Sequence, residues 1–371
     1  MALKLFDLQT PEFRPLKDIN LEFLDYTKEI EEFEDDFDRF EDEFDRMFGG
    51  GRDEPPRPTT SSNGESKVRS VRNERLIGER NNIMSVEFLE AGSSASQVVG
   101  RILGSWFGTG FLVAPKILMT NHHVIPNPGA CEGLFFQLNH EANIFGEPLR
   151  KNTFELDPDF FFATDSELDF TLVALAEECI NEGGGQSASG LPFCLFNPED
   201  DDVAAGSPVA LIHHPGGEEK KLSVHDSFLT QLERRHEAVE LGPGALVHSA
   251  DTLSGSSGAP IFDQSWNIIG LHRSGILDTD EHGHVIRRNG GRFQDEQDLL
   301  RNEHEAVWIA NLGTRSGAVR TRLEGLANLS ETHGGIRDRL ISLWDSPDEQ
   351  SEFVRRINHI IYQSMGKEFF A

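Results

Sequence analysis

Cysteines, long apolar runs and basic side chains are all scarce in this sequence of 371 residues. Its three cysteines, Cys131, Cys179 and Cys194, are odd in number and show no paired spacing, unlike a disulfide framework. No apolar stretch reaches the roughly 18 residues that a membrane-spanning helix needs. The first residues, MALKLFDLQTPEF, also lack the basic and apolar regions of a signal peptide. We therefore expect a soluble, non-exported protein in a reducing, cytoplasmic compartment.

The deficit of basic side chains excludes one large functional class. The chain has 34 Lys and Arg against 63 Asp and Glu, a formal net charge of −29. Neutralising nucleic-acid phosphates requires clustered Lys and Arg, and no basic stripe occurs here. We expect neither a nucleic-acid partner nor a membrane partner. Such acidity keeps a chain soluble and favours basic partners or substrates.

Metal and cofactor chemistry is not indicated either. The sequence contains no HExxH motif and no paired Cys/His spacing. Its histidines nevertheless include three close pairs, which are His122 with His123, His213 with His214, and His282 with His284. Without ligand spacing around them, we expect no metal and no cofactor. The pair in the turn LIHHPGG is interpreted as structural or as part of a substrate cleft.

The N-terminal part of the chain is predicted to be an acidic, amphipathic helical arm over residues 1–48. Its apolar residues recur at steps of three and four, which is typical of one helical face: Ile30, Phe33, Phe37, Phe40, Phe44, Met47 and Phe48. Between Glu29 and Asp45, eleven carboxylates are opposed by Arg39 alone. Because like charges four residues apart repel, this helix needs a surface to dock on. That surface is either its own domain or a separate regulatory protein.

The remaining chain divides into three further parts. Residues 49–67 are rich in Gly, Pro and Ser and are predicted to be a flexible linker. Residues 68–327 then show short β-type runs such as GTGFLVA, KILMTNHHV, DFTLVAL and NIIGLH, without helices alternating between them. This pattern favours antiparallel barrels over a βαβ sheet. Residues 328–371 are predicted to form a helical C-terminal extension.

Three short motifs carry residues suited to acyl transfer. In Gly255-Ser256-Ser257-Gly258, a serine nucleophile lies between small residues that allow a sharp turn. Such a turn can bring two backbone N–H groups, here those of Gly255 and Ser257, towards one oxyanion. His123 ends the run KILMTNHHV, and Asp169 begins DFTLVAL. A GSSG segment alone is a weak signal, but the order His, Asp, Ser with gaps of 46 and 88 residues is informative.

Together these motifs resemble those of chymotrypsin-fold, trypsin-like serine peptidases. TNHHV is similar to the histidine motif of that family, DFTLVAL to the aspartate motif, and GSSGAP to the serine motif. The similarity extends from about residue 74 to residue 326. The Val after His123, the missing disulfides, the LIHHPGG turn, and GLHRSG followed by AVWIAN place it nearest the glutamyl endopeptidase and bacterial cytoplasmic trypsin-like branch.

The resemblance implies a fold and a mechanism. The fold is all-β, with two antiparallel six-stranded β-barrels, the active site between them, and helical N- and C-terminal extensions. His123 would act as general base and then general acid, Asp169 would fix its tautomer, and Ser257 would attack the scissile carbonyl. His122 is the rival base, interpreted instead as an outward-facing histidine. The implied activity is that of a serine endopeptidase acting on proteins or peptides, and we expect it to serve regulated intracellular processing.

One departure from the family concerns activation. Digestive members have an Asp just before the nucleophile, which pairs with a freshly cut N-terminus, but this chain has Ser256 there. We therefore expect the oxyanion hole to form without N-terminal cleavage.

Two sets of residues predict which substrate side chain is preferred at P1, the position just before the scissile bond. Asp251 lies six residues before Ser257, where trypsin-like enzymes place a pocket carboxylate, and this favours Lys or Arg. His272, with a contribution from Thr252, occupies the position where glutamyl endopeptidases receive an acidic side chain. Since a pocket carboxylate disfavours an acidic P1, the sequence favours Lys or Arg over Glu.

Two other functional classes compete with an active peptidase. A protease fold can serve as a non-catalytic binding or scaffold module, since fold alone does not establish activity. All three triad positions are filled here, which favours the enzyme. An esterase of the α/β-hydrolase type is disfavoured because its chain order is Ser, acid, His.

Overall fold

A computed structural model describes residues 84–181, 186–194, 203–232, 241–327 and 329–345. Within these residues the architecture is mostly β, with two antiparallel sheets of six strands each. This confirms the predicted all-β, chymotrypsin-like class. The predicted arm, the linker, and the last 26 residues of the C-terminal extension lie outside the described residues, so their proposed roles stay predictions.

The first sheet is a closed barrel with strand order β1-β2-β3-β6-β5-β4. Its strands are β1 (Val99–Leu103), β2 (Phe107–Ala114), β3 (Ile117–Thr120), β4 (Phe135–Leu138), β5 (Asn152–Asp165) and β6 (Phe170–Leu175). All six residues of β6 are buried, as are all four of β3. Both faces of these two strands are covered. This explains why their sequences are mostly apolar without alternating polar residues.

The second sheet has the order β8-β7-β10-β11-β12-β9. Its strands are β7 (Ala210–His213), β8 (Lys221–Ser223), β9 (Ala245–His248), β10 (Pro260–Phe262), β11 (Ile268–Leu277) and β12 (Trp308–Arg315). In the described part of the chain no ladder joins β8 to β9, so this sheet is less regularly closed than the predicted second barrel. Isolated bridges of Phe228 with Pro208 and of Leu229 with His248 partly connect its ends.

Four α-helices flank the sheets within the part of the chain that the structure describes. They are α1 (Glu87–Ser96), α2 (Glu296–Arg301), α3 (Ser316–Glu324) and α4 (Glu331–Trp344). Helix α4 is preceded by the N-cap residue Ser330, whose side chain accepts a hydrogen bond from the N–H of His333. It docks through Trp344, which is buried and donates to the carbonyl of Val113 in the barrel at 3.1 Å. Among the described helices, none is long and apolar enough to cross a membrane.

The barrel and the second sheet meet along the loop that precedes β10. Thr109 on β2 donates its N–H to the carbonyl of Ser257 at 2.8 Å and its hydroxyl to the carbonyl of Gly255 at 2.8 Å. The same hydroxyl accepts from the N–H of His214 at 3.0 Å. One buried threonine thus connects the barrel with both chain segments that surround the predicted nucleophile.

Candidate active site

His123 and Asp169 are brought together by the pairing of two neighbouring barrel strands. Strand β3 pairs with β6 in antiparallel register, with Thr120 opposite Thr171. Because the strands run in opposite directions, the turn after β3 lies beside the residues just before β6. His123 Nδ1 is 2.8 Å from Asp169 Oδ2, and the N–H of His123 donates to Asp169 Oδ1 at 3.0 Å. Both carboxylate oxygens therefore hold the same histidine.

This arrangement assigns the protons of the imidazole. An ionised carboxylate only accepts hydrogen bonds, so Nδ1 of His123 donates its proton to Asp169. In the neutral ring Nε2 is then free to accept a proton from a nucleophile. The imidazole is accessible for that step, since 48% of the His123 side chain is exposed while Asp169 is 11% exposed.

Asp169 itself adopts a left-handed backbone conformation, with φ of 55°. That region is uncommon for residues other than glycine, but it is tolerated by Asp and Asn. Its carbonyl accepts from the side-chain amide of Asn121 at 2.8 Å. On the other side, the carbonyl of Leu168 accepts from Thr314 of β12 at 2.7 Å. These supports could not be predicted from the sequence, because the TNHHV motif contains Asn121 but nothing local connects it with Asp169.

A positive charge also faces the carboxylate of Asp169. Arg273 follows His272 on β11, and its Nε lies 3.6 Å from Asp169 Oδ2. Its side chain is 17% exposed, and its Nη1 is buried without a hydrogen-bond partner. At such a separation the opposite charges of Arg273 and Asp169 attract each other. Arg273 was not singled out from the sequence, because it becomes relevant only where β11 passes the end of β6.

Ser257 lies in the turn that leads into β10, next to Arg273. Its hydroxyl donates to the carbonyl of Arg273 at 3.3 Å, so attack on a substrate requires it to donate to His123 instead. Gly258 holds the turn against the barrel, with φ of +88°. An added Cβ there would lie 2.1 Å from the carbonyl oxygen of Thr109. The glycine after the nucleophile is therefore required for steric reasons.

The peptide bond between Ser254 and Gly255 is oriented by a hydrogen bond from Gly216. The carbonyl of Ser254 accepts from the N–H of Gly216 at 2.6 Å. In a planar trans peptide the carbonyl and the N–H point in opposite directions, so the N–H of Gly255 points away from Gly216. Among the described residues, the N–H groups of Gly255 and Ser257 donate to none. Two unpaired donors in one turn are suited to binding a developing oxyanion.

His122, Asp251 and Thr252 each form a hydrogen bond with a residue other than the triad. His122 directs Nδ1 to the hydroxyl of Thr164 at 2.8 Å, and Asp169 contacts its neighbour His123 instead. Asp251 is exposed, and its carbonyl accepts from Ser223 at 2.8 Å. The hydroxyl of Thr252 donates to the side chain of Asn311 on β12 at 2.9 Å.

His272 is one of four buried histidines in this part of the molecule. It is 3% exposed, and its Nδ1 lies 3.2 Å from Nε2 of His248. Burial lowers the pKa of His213 to about 4, of His214 to about 3 and of His248 to about 3, and it lowers the pKa of His272 well below its ordinary value of 6.5. All four are therefore neutral at neutral pH, because water no longer stabilises their charged form.

These buried histidines predict acid sensitivity of the fold. Each folded-state pKa lies below the unfolded value of about 6.5, so below that pH the unfolded chain binds protons that the native state excludes. The free energy of unfolding is expected to be highest above pH 6.5 and to fall as the pH is lowered from 6.5 towards 4. Each unit of pKa difference corresponds to about 1.4 kcal/mol once the pH lies below both values.

Denaturant unfolding at pH values between 7.5 and 5 would measure this loss, since most carboxylates stay ionised over that range. Replacing the buried His248 with Gln should reduce the slope of stability against pH. Replacing the exposed His225 with Gln is the matched control and should leave the slope unchanged. A stability that is flat between pH 6.5 and 5 would contradict the expectation.

No metal centre is found at this site. Within the described ranges, no group of three or more His, Cys, Asp or Glu side chains is arranged to bind an ion. Cys131, Cys179 and Cys194 are all free thiols. The described chemistry is that of a carboxylate, an imidazole, a hydroxyl and two backbone donors.

One family model and one curated protein match parts of this chain. Residues 108–271 match the family model of the trypsin-like peptidase domain. The chain is also 31% identical over 256 residues to the uncharacterized protein y4fB of Sinorhizobium fredii, covering 65% of this chain and 38% of that protein. The chain thus spans less than two-fifths of the length of this curated relative.

Solved structures of proteases are more distant. The active form of the Rv3671c protease from M. tuberculosis is 15% identical with a TM-score of 0.39, covering 70% of this chain and 97% of that one. The HtrA-type protease AlgW with tripeptide is 16% identical with a TM-score of 0.39, covering 63% and 62%. Both TM-scores lie below 0.5.

The described fold is chymotrypsin-like, with a closed six-stranded barrel and a second six-stranded sheet. Within it, residues 108–271 match the trypsin-like peptidase domain. They include His123, Asp169 and Ser257, the three residues singled out from the sequence.

Proposed function

We propose that this chain is a serine endopeptidase that hydrolyses peptide bonds of a protein or peptide substrate through an acyl-enzyme on Ser257. The observation that carries the proposal is the double hydrogen bond from His123 to Asp169, at 2.8 and 3.0 Å, next to the Ser257 turn with its two unpaired N–H groups. A merely structural histidine would not need a half-exposed ring held by a nearly buried carboxylate. The same three groups account for each proton transfer of acyl transfer.

The proposed steps follow from this geometry. Nε2 of His123 takes the proton of the Ser257 hydroxyl as its oxygen attacks the scissile carbonyl carbon. The N–H groups of Gly255 and Ser257 bind the oxyanion that forms. The imidazolium donates its proton to the leaving amine nitrogen, which breaks the C–N bond and leaves an ester on Ser257. Water then gives a proton to His123 while its oxygen attacks this ester. The imidazolium returns that proton to the oxygen of Ser257 as the C–O bond breaks, which releases the acid and restores the free serine and the neutral His123.

A fluorophosphonate probe tests whether the site is active. It reacts only with a serine whose hydroxyl is activated, so we expect stoichiometric labelling of the folded wild type and none of Ser257→Ala. Replacing the exposed Ser249 with Ala is the control and should leave labelling intact. A folded wild type that is never labelled would support the alternative, a non-catalytic scaffold that retains the peptidase fold.

We further propose that cleavage follows Arg or Lys. The support is the position of Asp251, six residues before Ser257, and the exposure of its side chain to solvent. An ion pair open to water is weaker than one at a buried pocket floor, so discrimination should be modest. The second candidate is cleavage after Glu, with His272 and Thr252 as the residues that would receive the acidic side chain. Both are less exposed than Asp251.

Matched peptide reporters ending in Arg, Lys or Glu at P1 would test the preference. We expect Arg and Lys to be cleaved faster than Glu, and Asp251→Ala to lower kcat/KM for Arg by about tenfold, which is the loss of roughly 1.4 kcal/mol. Asp226→Ala, which removes another exposed Asp, is the charge-matched control. Efficient Glu cleavage that survives Asp251→Ala and is lost in His272→Ala would overturn the basic preference.

A further inference from the structure

Ser256 occupies the position where digestive relatives carry the carboxylate that pairs with a new N-terminus. In this structure it is fully buried, and its hydroxyl lies 2.8 Å from Nδ1 of His213 at the end of β7. His213 is itself 3% exposed. Two buried polar side chains, 43 residues apart in sequence, therefore meet directly behind the Ser257 turn.

The hydrogen bonds around this pair have one consistent direction. The hydroxyl of Ser223 donates to the carbonyl of Asp251 at 2.8 Å, so it must accept from Nε2 of His213 at 3.1 Å. A neutral His213 with its proton on Nε2 has an acceptor at Nδ1, to which Ser256 donates. The hydroxyl of Ser256 in turn accepts from the N–H of Leu253 at 3.1 Å.

The chain of bonds begins and ends on the same loop. Its donor end is the N–H of Leu253 and its acceptor end is the carbonyl of Asp251, both in the segment that leads to Gly255 and Ser257. Each hydroxyl and ring nitrogen in the chain has a partner, which is the condition under which a buried polar network makes a conformation rigid. Burial also lowers the pKa of His213 to about 4, which keeps the ring neutral at neutral pH, as the bond from Ser256 requires.

We infer that Ser223, His213 and Ser256 form an internal clamp that holds residues 251–257 in the conformation with an open oxyanion hole. The clamp replaces the ion pair to a cleaved N-terminus that other members of the class use. All three are positioning residues that act through the backbone of Gly255 and Ser257. The inference rests on the proposed peptidase function and deepens it, because it makes the site competent in the uncleaved chain.

Two substitutions open the clamp at different places. Ser256→Ala removes the donor to His213 and the acceptor for Leu253, while Ser223→Ala, at a half-buried position, removes the link to Asp251. Loss of a complete oxyanion donor costs on the order of 10²–10³ in kcat. Because the clamp acts indirectly on both donors, we expect kcat to fall about 10- to 100-fold in Ser256→Ala, and less in Ser223→Ala, with KM changed by less than threefold.

The readout that separates positioning from general stability is an oxyanion analogue. A peptide aldehyde with the reporter sequence forms a hemiacetal with Ser257, and its oxygen occupies the oxyanion hole. Its inhibition constant should rise in parallel with the loss in kcat in both variants. Ser256→Thr, which retains the hydroxyl, should recover most of the activity. Ser227→Ala is the control, since Ser227 is also a buried serine but its hydroxyl donates to the local carbonyl of His225 and not to the clamp.

The outcomes are distinguishable from a failure of the proposed function. If the wild type is inactive and unlabelled by the fluorophosphonate, the peptidase proposal fails and the clamp falls with it. If the wild type is active but Ser256→Ala and Ser223→Ala keep kcat and aldehyde affinity within twofold, the clamp alone is overturned. Mass spectrometry of the active protein adds a second test, because activity confined to an N-terminally cut species would also overturn it.

Discussion

Replacing Ser257 with Ala is expected to lower kcat/KM for a cleaved peptide on the order of 10⁴-fold or more, with the fold retained. The substitution removes the attacking oxygen and leaves the backbone of the turn unchanged. His123→Ala should have a similar effect, because the hydroxyl of Ser257 then lacks a base. The measurement is steady-state kinetics on the best reporter, with thermal unfolding to verify that each variant is folded.

His122→Ala is the matched control for the histidine variant. It removes an adjacent imidazole of the same size, whose Nδ1 bonds to Thr164 and not to Asp169. We expect activity within about tenfold of wild type, because the loss is a hydrogen bond outside the reacting groups. If His122→Ala were the inactive variant and His123→Ala retained activity, the assignment of the base would be wrong.

Gly258→Ala is expected to destabilise the domain by about 3 kcal/mol or more and to abolish activity. An added Cβ would lie 2.1 Å from the carbonyl oxygen of Thr109 and 2.4 Å from the hydroxyl of Thr120. The first of these is backbone of the barrel and cannot rotate away. Relief of the clash must therefore separate the Ser257 turn from β2, breaking the 2.8 Å bond from Thr109 to Ser257.

Gly290→Ala separates this clash from backbone strain. The φ of Gly290, +83°, is close to the +88° of Gly258, but an added Cβ at Gly290 would meet nothing within 4 Å. We expect it to cost about 1 kcal/mol, the cost of the left-handed conformation alone. Urea unfolding of both variants gives the comparison. Equal losses of unfolding free energy would show that the contact between the turn and the barrel is not tight.

Several features were predictable from the sequence because their signals are local. The short apolar runs predicted the strands of both sheets, and the three ordered motifs placed the candidate base, acid and nucleophile. Small residues around Ser257 predicted a tight turn, since glycine alone adopts positive φ without strain. Ser256 in place of an acidic residue predicted that activation by N-terminal cleavage is not needed, although not what takes its place.

Other features depend on residues that are distant in the chain. The approach of Arg273 to Asp169 follows from how β11 passes the barrel, and the bond from Ser256 to His213 follows from the pairing of β7 with β10. Ser223 joins them because β8 pairs with β7. No spacing rule connects these positions, since strand order and register are set by packing of the whole sheet.

The sequence by itself therefore determined the class of fold and the three residues on which the proposed chemistry depends. Apolar periodicity and turn residues are patterns of neighbouring residues. The order of the base, the acid and the nucleophile along the chain is likewise visible in the sequence. Only the tertiary structure decided the surroundings: the cation beside Asp169, the exposure of Asp251, and the buried serines and histidine behind the oxyanion loop. The physical reason is that hydrogen bonds and charges act over a few ångströms in space, whatever the separation along the chain.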